Sequence, residues 1–135
     1  MAVRSDFRVI PVNQCIGGVP PDYDTGFPYV GPQSAVKNFQ IDGVPVGDAY
    51  LLIAYAKLRQ PGVVIKINDR DLPWIDIFPS DHGTHLKNIE PGYLVRGINT
   101  LQIISGGLSV AFIAFYTVVH WREQEPPKPR PPVHP

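Results

Sequence analysis

The stretch Val110-Ala-Phe-Ile-Ala-Phe-Tyr-Thr-Val-Val-His-Trp121 decides the fold, because it is the last strong hydrophobic run of the chain and has the composition of a β-strand. Alternate side chains of a strand point to opposite sides of its sheet, so a strand at the surface of a sandwich should alternate apolar with polar residues. This run is apolar on both sides. One side holds Val110, Phe112, Ala114, Tyr116 and Val118, and the other holds Ala111, Ile113, Phe115, Val119 and Trp121. We expect the first side to close a core and the second to lie under the N-terminal segment or a neighbouring subunit.

The chain before this run carries further β signals. Residues 37–41 and 63–67 alternate apolar with polar side chains, 49–57 is a long apolar run, and 74–78 resumes extended structure after a turn at 68–71. Residues 101–103 alternate again, and Gly106-Gly107 turns the chain into the last strand. Residues 48–58 also tolerate a helix, but no window of ten or more has a convincing helical period. The pattern predicts an all-β, antiparallel β-sandwich of seven or eight strands.

Proline divides the chain into three segments. Six of the 16 prolines precede residue 46 and six follow residue 125. We predict an extended N-terminal arm over 1–34, in which 7–12 could form a short strand, a β-sandwich domain over 35–122 and a proline-rich C-terminal tail over 123–135. Proline lacks an amide hydrogen, so the tail should favour polyproline II, and its Pro-x-x-Pro spacings beside Lys128 and Arg130 could dock in an aromatic groove.

The composition and charge of the chain indicate which classes of partner are disfavoured. The chain has 135 residues, one domain's worth, and its 12 basic residues equal its 12 acidic ones, which disfavours nucleic acid as a partner. The run from 108 to 121 is shorter than the roughly 20 residues that span a bilayer, so we expect no membrane insertion. The N-terminus lacks the hydrophobic region of a secretory signal, which favours a virion or cytoplasmic location, and the single Cys15 cannot form an intrachain disulfide.

The order of the β motifs resembles a known superfamily. The run Ala49-Tyr-Leu-Leu-Ile53 is followed by Val63-Val-Ile-Lys-Ile-Asn68, then by Arg96-Gly-Ile-Asn-Thr-Leu-Gln-Ile103 and a closing apolar strand. This order is similar to that of galactose-binding-like β-jelly-roll domains over residues 36–122. The superfamily's usual Asn-Gly turn is Asn68-Asp69 here. The resemblance implies a jelly-roll and loops that often bind glycans, while Asn68 and Asn99 suit turns and are expected to be scaffold.

A ligand site is predicted between residues 68 and 85, where polar and aromatic residues concentrate in what we expect to be loops. Trp74 could stack on a sugar face while Asp76, Asp81 and His82 hydrogen-bond its hydroxyls. The alternative for Trp74 is an anchor in the core, since it lies between Pro73 and Ile75.

Metal and catalytic sites have weaker support. His82 and His85 could share a metal ion and Asp69 and Asp71 could meet calcium, but metal sites need three or four supported ligands, so we expect no metal and no cofactor. Paired carboxylates could in principle hydrolyse glycosides, but no nucleophile elbow, phosphate loop or zinc motif is present. We expect no catalytic residue and no enzyme activity.

The leading prediction is a non-catalytic structural subunit, a decoration or accessory protein of a virus-like particle or another large assembly. Its partners would be protein neighbours in a homo-oligomer or particle, because arms and straps let a small domain bury more surface on neighbours. The predicted interface residues are Phe112, Tyr116, Trp121, Pro127 and Pro131. The alternative is a carbohydrate-binding module, and a particle that displays the sandwich to sugars would be both.

Overall fold

Strands make up all the regular structure in the residues that the computed structural model describes, which are 2–22, 24–58, 63–72, 80–105 and 111–124. The strands are β1 (Val3–Ile16), β2 (Lys37–Ile41), β3 (Val44–Pro45), β4 (Ala49–Leu58), β5 (Val63–Ile67), β6 (Arg70–Asp71), β7 (Ser80–Ile89), β8 (Gly97–Ser105) and β9 (Phe112–Gln124). Over these ranges the chain forms no helix with the length and apolarity needed to cross a membrane.

The strands form two antiparallel sheets. One has the order β1-β9-β4-β7, with β3 also pairing with β9, and the other has the order β2-β8-β5-β6. Their inner faces bury a continuous hydrophobic core, whose largest fully buried side chains are Trp121, Phe112, Ile16, Ile41, Leu51, Ile53, Ile65, Ile67, Ile89, Leu101 and Ile103. The predicted fold class, an antiparallel β-sandwich of jelly-roll type, is confirmed.

A β-bulge in β9 explains why strict alternation along the sequence places apolar residues on both faces of this strand. Tyr116 pairs with Ala54 and Ala114 pairs with Tyr55, which leaves Phe115 as an extra residue opposite β4. An extra residue reverses the alternation of side chains beyond it. Phe112 and Ala114 therefore share the inner face with Thr117, Val119 and Trp121, all at most 1% exposed. The predicted division of the run was wrong after Phe115, because Tyr116 and Val118 point outward.

The predicted extended arm is also wrong, since its residues belong to the sandwich. β1 pairs with β9 from Val3 opposite Gln124 to Ile16 opposite Phe112. The chain after β1 folds back on the domain, where the Cys15 N–H donates to the Pro28 carbonyl (2.9 Å) and the Ser105 N–H donates to the Pro32 carbonyl (2.8 Å). Proline lacks a donor but keeps its acceptor, so these segments can still be tied down. β9 extends two residues past the predicted boundary at 122, and residues 125–135 lie outside the described part.

The predicted scaffold asparagines join the two loops at one end of the four-stranded sheet. Asn68 and Asp69, with φ of 53° and 62°, form the two-residue loop between β5 and β6, and two positive φ values characterise a type I′ hairpin turn. The Asn68 side chain donates to Asn99 Oδ1 and to the Tyr93 carbonyl, both at 2.8 Å. Asn99 is fully buried and also accepts from the Val95 N–H. The two side chains hold the hairpin against the chain that enters β8, as expected.

Candidate functional site

The outer face of the five-stranded sheet is the main candidate surface. Cross-strand partners on this face form rows that run over β1, β9, β4 and β7. The first row is Phe7, His120, Tyr50 and Asn88; the second is Val9, Val118, Leu52 and Leu86; the third is Pro11, Tyr116, Ala54 and Thr84. None of these twelve residues is Asp, Glu, Lys or Arg, in a chain with 18% charged residues.

Large apolar side chains in these rows are open to solvent. Leu86 is 61% exposed, Val9 56% and Phe7 55%, and Tyr50 and Tyr116 are exposed to a similar degree. Single exposed apolar residues are ordinary on protein surfaces, but a contiguous group usually marks a binding site. The face therefore combines the regular geometry of a sheet with the composition of a contact surface.

An open depression of about 420 Å³ lies at the third row of this face. Its residues are Ala54, Tyr55, His82, Gly83, Thr84, Phe115 and Tyr116. β9 supplies Phe115 and Tyr116, β4 supplies Tyr55, and β7 supplies His82 and Thr84. The depression exists because β4 carries alanine at position 54 between those two strands, where a larger side chain would fill the space.

A close contact between β4 and β7 shapes the same region. Gly83 pairs with Tyr55, and a Cβ at Gly83 would lie 2.7 Å from the ring carbon that carries the Tyr55 hydroxyl. Only glycine lets the ring lie so close to the β7 backbone. Burial raises the pKa of Tyr55 above its ordinary value of 10.0, so the hydroxyl stays neutral at physiological pH.

The predicted ligand residues fall partly in this region. His82 lines the depression, although in strand β7 and not in the expected loop. Asp81 is exposed and precedes His82 in β7, so alternation directs it to the other side of the sheet. Trp74 and Asp76 lie outside the described residues. Thr84 and Phe115 were not predicted as ligand candidates, and Tyr116 was assigned to an interface. The sequence does not show which residues of neighbouring strands lie beside them, so it does not predict that they line one depression.

The structure does not assemble the two-histidine metal site. His82 and His85 lie three residues apart in one strand, so their side chains project to opposite faces of the sheet. In the described part of the chain, no group of three or more His, Cys, Asp or Glu residues could hold a metal ion.

The predicted interface residues also separate. Tyr116 is 40% exposed on the outer face. Phe112 and Trp121 are each 1% exposed between the two sheets, so their assignment to an interface was wrong: they pack in the domain's own core. Pro127 and Pro131 lie outside the described residues.

A second depression, of about 350 Å³, lies at the margin between β1 and β2 and includes Arg8 and Lys37. The Arg8 guanidinium lies 5.3 Å from the centre of the Trp121 ring and 3.1 Å from the Asp6 carboxylate. Burial pushes the pKa of Asp6 upward, but the Phe7 N–H and the Arg8 guanidinium outweigh it and hold the pKa below its ordinary value of 3.8. The Arg8 charge already has an acidic partner, so this margin is a poorer candidate for an acidic ligand.

The two sheet orders, β1-β9-β4-β7 and β2-β8-β5-β6, are those of a β-jelly-roll, the fold that the motif order predicted. An exo-β-1,3-galactanase from Phanerochaete chrysosporium, solved with β-1,3-galactotriose, is similar over 88% of this chain with 16% identity and a TM-score of 0.49, and the chain spans 29% of its length. CBM35 from Paenibacillus barcinonensis is similar over 87% of this chain and 98% of its own, with 14% identity and a TM-score of 0.48. At these identities and TM-scores the two likenesses support no conclusion about what this chain binds.

Comparison by sequence gives one further result. A family model described as a family of unknown function (DUF7383) matches residues 4–123, which is nearly all of the described sandwich. No curated protein matches the chain.

Proposed function

We propose that this chain, which belongs to that family of unknown function, is a non-catalytic module that binds neutral glycans in the depression on the outer face of its five-stranded sheet. The observation that carries the proposal is the lining itself. Phe115 and Tyr116 supply aromatic surface, His82 and Thr84 supply polar groups, and Ala54 leaves room between them. Sugars present apolar C–H surfaces and hydroxyl groups together, and a site for them needs both kinds of side chain.

The chemistry of the lining favours neutral sugars and binding without turnover. None of the seven lining residues is Lys, Arg, Asp or Glu, so the site offers no formal charge to an acidic sugar and no pair of carboxylates. Most glycosidases hydrolyse their substrates with two carboxyl groups that flank the scissile bond. We assign Tyr116 as the stacking platform and the His82 and Thr84 side chains as hydrogen-bonding partners of sugar hydroxyls.

The test is a panel of neutral and acidic oligosaccharides, followed by calorimetric titration of any that bind. Tyr116→Ala and His82→Ala should each raise the Kd for a neutral oligosaccharide about tenfold, which corresponds to about 1.4 kcal/mol. His120→Ala is the matched control, because His120 is exposed on the same strand and face as Tyr116 but does not line the depression. The Kd of His120→Ala for the oligosaccharide should be unchanged.

A Trp74→Ala variant tests the site predicted from the sequence. If Trp74→Ala abolishes binding while Tyr116→Ala does not, the site belongs to the 74–82 segment and the depression is the wrong location. If no oligosaccharide binds the unsubstituted chain, or if only acidic ones do, the proposal of a neutral-glycan module fails.

An assembly subunit is the second candidate function, and the uncharged apolar rows beside the depression favour it. The arm gives it no support, because residues 28–34 bond to their own domain. The virus-like particle is proposed from the sequence alone. Because the N-terminal segment belongs to the sandwich, the proline-rich tail at 125–135 is the segment that the proposal still assigns to contact with neighbouring proteins. Sedimentation tests it: a chain that stays monomeric and pellets with no particle contradicts an assembly role.

A further inference from the structure

The outer face of the five-stranded sheet has an exposed apolar region beside the depression. We name it the apolar patch and define it by Phe7, Val9, Tyr50, Leu52, Leu86 and Val118, from the first two rows. Its second row is aliphatic on all four strands, a composition that suits contact with another protein better than contact with sugar hydroxyls. The patch is thus a different kind of surface from the depression.

The chain covers the neighbouring part of this face but leaves the patch open. Phe27 packs edge-on against Phe115 with ring centroids 5.5 Å apart, and Tyr29 forms a bridge with Cys15, so the segment after β1 lies over the bulged end of β9. Cys15 and Ile113, which pair there, are 0% and 6% exposed. Leu86 and Val9, in contrast, are more than half exposed. The same face is therefore buried where the chain returns over it and exposed where it does not.

We infer that the apolar patch binds the same patch of a second copy of this chain, as a two-fold face-to-face dimer. A two-fold interface brings one surface against itself, so any charge at its centre would meet a like charge. The patch has none. The nearest formal charge along β9 on this face is Arg122, and a two-fold axis that crosses the strands places the two Arg122 side chains at opposite ends. Identical sheet faces can pack about 10 Å apart with aligned strands, as sandwich layers do.

The size of the face is sufficient for a modest dimer. From Tyr116 to Gln124 the face is about 30 Å long at about 3.3 Å per residue. It is four strands, or about 19 Å, wide as far as His120, and three strands, or about 14 Å, wide beyond it, where β7 has ended and β3 pairs with β9. Each copy would contribute about 500 Å², which makes about 1,000 Å² in total, the lower limit for a specific interface. The area includes Tyr116, so the dimer would cover that edge of the depression, and glycan affinity is therefore measured at protein concentrations below the dimer Kd.

The test is sedimentation velocity of the full chain over a range of concentrations. The unsubstituted protein should form a species of twice its 15.0 kDa mass. Leu86→Glu should raise the dimer Kd at least about hundredfold, because each dimer would bury two unpaired carboxylates in the patch. The matched control is Ile98→Glu, since Ile98 is 62% exposed but lies on the four-stranded sheet, and it should leave the dimer intact.

Circular dichroism verifies that each variant folds, and Val9→Glu, on another strand of the patch, replaces Leu86→Glu if that variant does not. The inference is overturned by a chain that is monomeric at every concentration. It is equally overturned by a dimer that survives Leu86→Glu and Val9→Glu, or by one that Ile98→Glu disrupts as strongly. Glycan binding is measured with Tyr116→Ala, so the two proposals can fail separately.

Discussion

The two outer faces of the sandwich differ in composition although the two sheets share one core. On the four-stranded sheet the outward positions of β2 and β8 include Asn38, Gln40, Thr100 and Gln102, and Lys66 on β5 forms an ion pair with Asp71 at 3.9 Å. That sheet mostly follows the alternation of apolar inner and polar outer residues expected beside water, although Val64, Ile98 and Ile104 also point outward. The five-stranded sheet replaces the polar set with Val9, Leu52, Leu86 and Val118. This difference in composition is the basis of our proposal that the outer face of the five-stranded sheet binds a partner.

The largest expected effect tests whether the residues of β9 that the bulge directs inward, such as Trp121, pack in the core. Trp121→Ala should lower the free energy of unfolding by about 3–5 kcal/mol, because truncating a fully buried aromatic leaves a cavity in the core. Tyr116→Ala, on the outward side of the same strand, should cost about 0.5 kcal/mol. Denaturant unfolding of both variants provides the measurement. Equal losses would mean that the division between inner and outer residues of β9 is misplaced.

The bulge marks the limit of what alternation in the sequence can predict. Strand positions, the sandwich class and the scaffold roles of Asn68 and Asn99 follow from local patterns, since side-chain periodicity and turn chemistry are local properties. An extra residue in β9 is not visible in that pattern, because both sides of the run are apolar and either register would satisfy it. The division of β9 into faces depends on its partner β4, which sequence inspection does not provide.

The candidate site was predictable only in part, for a similar reason. His82 was named from its residue type, but β7 was expected to be a loop because its inward positions Asp81, Gly83, His85 and Lys87 are not apolar. β7 is the last strand of its sheet, where the core covers these positions only partly. The return of the chain after β1 was missed because this segment has no helical or strand period, whereas backbone hydrogen bonds to the Pro28 and Pro32 carbonyls hold it on the domain.

A matched pair of asparagines in the four-stranded sheet tests the same difference between a buried and an exposed position. Asn99→Ala should destabilise the fold by about 3 kcal/mol, because it leaves the part-buried Val95 N–H and the Asn68 amide without their acceptor. Asn38 pairs with Thr100 on the exposed side of the same sheet, and Asn38→Ala should change stability by less than about 0.5 kcal/mol. Thermal or denaturant unfolding distinguishes the two. A small effect of Asn99→Ala would show that the network contributes little to holding the loops.

The smallest expected effect concerns the part of the apolar face that the chain covers itself. Phe27→Ala should remove an edge-on ring contact with Phe115 worth about 0.5–1.5 kcal/mol and let the returning segment open more often. Cys15 reports that opening, because it is fully buried beneath the segment. We expect its reaction with a thiol reagent to become up to about tenfold faster in Phe27→Ala. Phe7→Ala, an exposed phenylalanine on the same face away from the segment, should leave the rate unchanged.

The pH dependence of the reaction between Cys15 and a thiol reagent provides a second test of the burial of Cys15. Burial raises the pKa of the Cys15 thiol above its ordinary value of 9.0, and a hydrogen bond with Thr25 offsets only part of the rise. The neutral thiol therefore contributes stability that is full below about pH 9 and is lost as the pH rises through the folded-state pKa. Since the thiolate is the reactive form, the native chain should react more slowly than the unfolded chain around pH 9. Equal rates in the native and unfolded chains would mean that the segment does not cover this end of the face, and the whole outer face would then be open to a partner.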